Sequence, residues 1–253
     1  MTFPVFIDIG FMKIHPHFLF EALAYFIGAR VYFFTRRKEK IPFTKAMSII
    51  AGMTVGAALG SKILYWFEDP VQTMQNLTNL PYLMAGKTIV GGLLGGLIGV
   101  ELTKKLVGHK SSTGDDFAIP VIVGMAIGRI GCFLTGLSDH TYGIETTWVT
   151  GVDFGDGVYR HPTQLYEIGF LMLLTGFLIY AKKKALYPWE GSRFQLFMLG
   201  YLFFRFAIDF IKPTPHVFFG MNNIQIACVL GLIYYIQLFR HKAMVAKEMP
   251  YAP

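Results

Sequence analysis

Seven long apolar stretches, separated by short polar ones, dominate the chain. They lie at about 18–35, 44–66, 82–102, 117–135, 163–181, 194–211 and 223–239. Each approaches the ~20 residues a helix needs to cross a hydrocarbon layer roughly 30 Å thick. Backbone groups in lipid must find partners within their own segment, so these stretches are expected to be helices. The expected fold is all-α: an integral membrane protein with seven transmembrane helices, forming one domain over residues 1–253. The longest connection, about 136–162, is rich in turn residues and reads as an external loop.

Composition agrees with this pattern. Hydrophobic residues make up 53% and charged residues only 15%, against about a quarter charged in a soluble domain. That argues strongly against a disordered chain and also against a soluble one. The start, MTFPVFIDIG, lacks a basic region and a small-residue cleavage site. It reads as an external lead-in, not a signal peptide. Cys132 and Cys228 both fall in apolar segments and form no disulfide or zinc pattern.

The net charge of +7 would suit nucleic acid, but its placement argues otherwise. Fifteen of the 23 basic residues follow the odd-numbered stretches. They include Arg36, Arg37, Lys38, Lys40 and Lys45 after the first, and Lys104, Lys105 and Lys110 after the third. Lys182, Lys183, Lys184 and Arg193 follow the fifth, and Arg240, Lys242 and Lys247 the seventh. Only Lys13, Lys87, Arg160 and Lys212 fall on the other side. By the positive-inside rule the N-terminus is outside and the C-terminus cytoplasmic. No nucleic-acid partner is needed to explain the charge.

Ionisable residues inside spans are costly and are functional candidates. Arg129, Arg205, Asp209, Lys62 and Glu21 are all expected near the outer headgroups, with Arg160, His161 and Glu167 at the outer start of the fifth span. Arg30 is in an inner half, where it can snorkel to the cytoplasmic headgroups. Tyr201, Arg205, Asp209 and Lys212 share one face of an otherwise apolar helix. They read either as an ion pair that locks the helix or as an anion site in which Asp209 orients Arg205.

Gly91, Gly95 and Gly99, with Gly92 and Gly96, form a small-xxx-small pattern suited to close helix packing; a substrate groove is the alternative. Gly128 and Gly131 flank Arg129, so bulk beside that guanidinium is low. Arginine's planar fork suits phosphate. The residues alone therefore point to a membrane protein with an anion site facing the outer leaflet.

Four stretches also carry a resemblance: VGGLLGGLIG at 90–99, GRIGCF at 128–133, RHPTQLYE at 160–167 and GYLFFRFAIDFIKP at 200–213. In this order they resemble the prolipoprotein diacylglyceryl transferase family. The resemblance implies an enzyme of the bacterial inner membrane with seven spans. It would move the diacylglyceryl group of phosphatidylglycerol onto the lipobox cysteine thiol of a prolipoprotein, releasing glycerol phosphate. Its partners would be that lipid, the prolipoprotein signal-peptide region and the surrounding membrane lipid. Arg129 and Arg205 match the family's arginines, Tyr201 its tyrosine and Asp209 its acid, which is usually Glu. Lys212 stands where the family usually has Arg. His161 is the candidate base, with Tyr166 or Glu167 as neighbour. Arg160, Gln164, Tyr166, Glu167, Gly91, Gly92, Gly128 and Gly131 complete the expected substrate-binding set. No metal or organic cofactor is implied.

The chain departs from the pattern at several points. The family's His-Gly-Gly reads Val90-Gly91-Gly92, Cys132 replaces an Asn, and Leu137 occupies the place of an acid, with Asp139 and His140 nearby. The first-span tyrosine has only Glu21 and Tyr25 in its vicinity. These departures leave open a related transferase with another acceptor, a lipid or anion transporter, or a non-catalytic lipid-binding protein.

Overall fold

The computed structural model describes residues 3–10, 12–36, 41–216 and 219–248. Arg37, Lys38 and Lys40 of the first basic loop lie outside these residues, as do Met1 and Thr2 of the lead-in and the Lys247 side chain. The protein is mostly helical. Nine α-helices occur among the described residues. They are α1 (Pro16–Thr35), α2 (Phe43–Trp66), α3 (Pro70–Gln75), α4 (Leu80–Met84), α5 (Ile89–Leu106), α6 (Ala118–Thr135), α7 (Thr163–Lys183), α8 (Ser192–Ile208) and α9 (Asn223–Glu248). Two small antiparallel strand pairs accompany them: β1 (Ile7–Asp8) with β2 (Lys13–Ile14) before α1, and β3 (Val152–Asp153) with β4 (Tyr159–Arg160) between α6 and α7.

Six helices, α1, α2 and α6 to α9, are long and apolar enough to cross a membrane. At about 1.5 Å per residue, the 20 residues of α1 span about 30 Å. Helix α5 has 18 residues, and its last turns carry Glu101, Lys104 and Lys105.

The third apolar stretch differs from its expected bounds. The long helix starts at Ile89 instead of near residue 82 and runs on to Leu106. Asn79 caps a separate short helix, α4, by accepting from the Tyr82 N–H. Gly86 then turns the chain at φ +61°, a conformation that breaks a helix and favours glycine. Lys62 donates to the carbonyls of Met84, Ala85 and Gly86, satisfying groups left open at the end of α4. Ser61 and Thr88 exchange hydrogen bonds of 2.9 Å, which fix the start of α5 on α2.

Helices α2 and α5 approach closely through their glycines. Gly52, Gly56 and Gly60 face Gly99, Gly95 and Gly91 in turn. A Cβ at Gly95 would overlap the Gly56 carbonyl and come within 2.8 Å of Gly60 Cα. Gly92 lies beside this seam, with its nearest neighbour, the Ala57 oxygen, at 3.8 Å. Gly95→Val is therefore expected to lower the thermal midpoint in detergent, since overpacking costs about 1–3 kcal/mol. Gly92→Ala leaves it nearly unchanged, and equal stability of the two variants would contradict this packing.

The core lies among α5 to α9 and includes Val90, Ile122, Leu171, Phe197, Met198, Tyr201, Leu202 and Cys228. Helices α1 and α2 bury little besides Pro16 and Ile49. Phe18, Phe26, Phe33 and Phe34 of α1 and Val55 and Leu59 of α2 are exposed, as lipid-facing side chains would be.

Contacts between connections define two ends. Asp115, in the turn before α6, accepts hydrogen bonds from the Gly191 and Phe194 N–H groups at the start of α8. A carboxylate there complements the helix N-terminus. Tyr187 and Trp189 pack on Phe239 near the far end of α9. At the opposite end, Asn222 and Gln225 cap α9 reciprocally through backbone bonds of 2.9 and 2.7 Å, and Asn222 reaches Asp209 just past α8.

Candidate active site

Three adjacent helices bring charge into the interior. Arg129 comes from α6, Glu167 from α7, and Tyr201 and Arg205 from α8; Asp209 follows in a short 3₁₀ turn. All five are buried. Glu167 is the hub. Its Oε2 lies 2.8 Å from Arg129 Nε and 3.8 Å from Arg205 Nη1. Its Oε1 accepts a 2.7 Å hydrogen bond from the Tyr201 hydroxyl. Arg205 Nη2 lies 2.8 Å from Asp209 Oδ1, one helical turn on. Lys212 Nζ stands 4.0 Å from the same oxygen.

This charged cluster is incompletely paired. Arg205 Nε and Nη1 are buried without a hydrogen-bond partner among the described residues. Buried donors are nearly always satisfied, and leaving charged ones open costs more than neutral ones. Two guanidiniums meet two carboxylates, Glu167 and Asp209, and the open Arg205 donors are groups to which an anion can bind.

The single polar face expected on α8 is present, and Asp209 does hold Arg205. Tyr201, on the same face, donates its hydroxyl to Glu167. Of the two residues named as neighbours of His161, Tyr166 lies beside it, while Glu167 turns to the arginines. Consecutive helical residues project about 100° apart, so Tyr166 and Glu167 face different groups. Tyr166 meets His161 Nδ1 at 3.0 Å and Thr150 Oγ1 at 2.6 Å. His161 also packs edge-on against Trp148. The structure thus joins His161 to the 136–162 connection, and among the described residues it has no hydrogen bond to the arginines.

Arg160 is likewise outside the cluster, paired with Asp156 at 2.8 Å and lying over the Tyr142 ring. Gln164 donates to Thr141 Oγ1 at 3.0 Å, while its buried Oε1 has no partner among the described residues. Of the four candidate glycines, Gly128 has open space where a Cβ would sit. Gly131 is packed by Phe20, and Gly91 by the Gly60 carbonyl. The room beside Arg129 is therefore on the Gly128 side.

Sequence reasoning missed two contributors. Asn222 donates to Asp209 Oδ2 at 3.5 Å and to Thr214 Oγ1 at 3.1 Å; only its place before an apolar run marked it, as a cap. Glu68, just past α2, lies close enough to Asp209 that burial and this carboxylate push its carboxyl up. Beyond the last turn of α8, burial and the Arg205 and Arg129 charges pull the Lys212 ammonium down to about 7.

Several apolar helices of membrane-crossing length, packed around a buried arginine–carboxylate cluster, are the mark of a multi-pass membrane protein. The sequence profile of prolipoprotein diacylglyceryl transferase matches residues 4–240. The chain is 33% identical over 241 residues to the phosphatidylglycerol–prolipoprotein diacylglyceryl transferase of Bordetella bronchiseptica, covering 86% of this chain and 85% of that protein. It is 30% identical over 223 residues to the protein of the same name from Clostridium tetani, covering 84% and 86%. A third relative of that name, from Chlorobaculum tepidum, is 32% identical over 216 residues, covering 76% and 73%. The chain belongs to the prolipoprotein diacylglyceryl transferase family.

Proposed function

We propose that this protein transfers the diacylglyceryl group of phosphatidylglycerol to the lipobox cysteine thiol of prolipoproteins. The observation that carries the reading is the shared Glu167 between Arg129 and Arg205, with Arg205 donors left open. In the reaction a sulfur–carbon bond forms at the diacylglyceryl carbon, and the carbon–oxygen bond to phosphate breaks. Negative charge grows on the departing glycerol phosphate. Preorganised guanidinium donors stabilise such developing charge in a water-poor site. Asp209 and Glu167 hold the two arginines in place, and Tyr201 holds Glu167. Lys212, 4.0 Å from Asp209, adds a further basic group. The thiol proton needs a base, and His161 is the candidate among the expected residues. Relatives named as this transferase favour the reading over a transporter.

The proposed topology has seven spans in one transmembrane domain, with α5 as the seventh. Its 18 residues lie between α2 and α9, and its charges are confined to the final turns. The N-terminus is outside and the C-terminus cytoplasmic, in the bacterial inner membrane. The two ends defined by Asp115–Gly191 and by Asn222–Asp209 support alternating helix directions. The arginine cluster then faces the outer leaflet.

Expression in cells depleted of their own diacylglyceryl transferase tests the reading. Intact-mass analysis of a reporter prolipoprotein is expected to show a diacylglyceryl addition. Its absence, with the protein well expressed, would sink the proposal.

Lys212 adds a pH signature. The phosphodiester keeps one negative charge across the neutral range, whereas Lys212 is charged below about 7 and neutral above it. Apparent KM for phosphatidylglycerol is expected to rise between about pH 6 and about pH 8, as the amine loses its proton. Lys212→Arg stays charged and flattens the profile. An identical pH dependence in this variant would contradict the assignment.

A further inference from the structure

A second polar cluster lies where α1 begins and α6 ends. His17 Nδ1 is 2.8 Å from Asp139 Oδ1. One ligand atom each from His17, Cys132 and Asp139 lies within 4.8 Å of the other two. The other His17 nitrogen, Nε2, is 3.5 Å from Glu21 Oε2. Glu21 is held in turn by Lys87.

We propose that His17, Cys132 and Asp139 bind a thiophilic divalent cation, best matched by Zn²⁺, with a fourth position open to water. The donor set carries the argument. Imidazole, thiolate and carboxylate are the ligands zinc takes, and three protein ligands with one open place are a common zinc arrangement. Zinc bonds of about 2.0–2.3 Å separate neighbouring ligands by roughly 3.3–3.6 Å in a tetrahedron. The group therefore needs shifts below about an ångström or so to close on an ion. A thiolate and a carboxylate neutralise the double charge of the metal. Glu21 completes the pattern. A metal-bound histidine almost always donates its other N–H to a carboxylate or carbonyl, which fixes the ring.

The arrangement suits a metal better than a histidine–aspartate base. Both His17 nitrogens face carboxylates, so one ring nitrogen can ligate an ion while Glu21 holds the other. The site also adjoins the arginine cluster, because Arg129 Nη1 donates to Cys132 Sγ at 3.8 Å. The inference does not rest on the transfer reaction, and its test reads metal binding alone.

The test is a Co²⁺ titration of the full chain, purified in detergent and kept reduced. One equivalent is expected to bind with a thiolate-to-cobalt charge-transfer band, and Zn²⁺ should displace it. Cys132→Ser is expected to abolish the band while Cys228→Ser keeps it. His17→Ala and Asp139→Asn should weaken binding at least ~10-fold, and Glu21→Gln by ~10–100-fold. Glu21→Gln alters no proposed ligand, so it tests the site even where a ligand variant fails to fold. Saturating Co²⁺ without the band, or a band that survives Cys132→Ser, would overturn the proposal. So would unchanged affinity in Glu21→Gln.

Discussion

Glu167→Gln is expected to lower transfer by roughly 10²–10³-fold, the scale of losing one preorganised electrostatic element. The substitution keeps the side chain's shape and removes its charge. Arg129 and Arg205 then lose the oxygen they share, at 2.8 and 3.8 Å. The Tyr201 hydroxyl still finds an acceptor in the amide oxygen. Removing one partner from a buried ion pair costs on the order of 3–5 kcal/mol, because the remaining charge is left uncompensated. Two like charges now face each other, so the thermal midpoint in detergent should fall together with activity. Glu167→Asp retains the charge at shorter reach and should lie between the two. Turnover in mixed micelles and a melting curve check this; a fully active Glu167→Gln would remove Glu167 from the account.

Arg205→Lys is expected to reduce kcat by roughly 10²-fold or more while changing KM for phosphatidylglycerol much less. The ammonium keeps the positive charge but loses the planar fork. One nitrogen cannot hold Asp209, at 2.8 Å in the native protein, and also offer the donors now borne by Nε and Nη1. An interaction made mainly as charge develops affects kcat; one made equally with the bound substrate affects KM. Steady-state kinetics against lipid mole fraction separates them. A raised KM with unchanged kcat would mean that Arg205 only holds the lipid.

The helices were legible because lipid imposes one demand on every span: long apolar runs with internally paired backbones. The start of α5 was not. Residues 82–88 are apolar enough to read as span, and Gly86 with the Ser61–Thr88 bonds decides otherwise. Arg129, Arg205 and Asp209 stood out because charges within spans are scarce, and the four-residue spacing placed Tyr201 and Asp209 on the Arg205 face. The central role of Glu167 was hidden. It follows Tyr166 directly, and only the rotation of α7 against α6 and α8 shows which of the two faces the arginines. Asn222 and Glu68 look like ordinary cap and loop residues until α9 and α2 are packed. Cys132 and Asp139 lie seven residues apart, but His17 comes from α1, so no local spacing could have joined all three.

The central claim is that the Arg129–Glu167–Arg205 cluster drives diacylglyceryl transfer. Its most direct measurement uses purified protein, phosphatidylglycerol micelles and a lipobox peptide. Glycerol phosphate release and thioether formation are followed together. Equal amounts of both products are predicted, with both lost in Arg129→Ala and in Arg205→Ala. Release without thioether, or equal product from an Arg129→Ala, Arg205→Ala double variant, would contradict it.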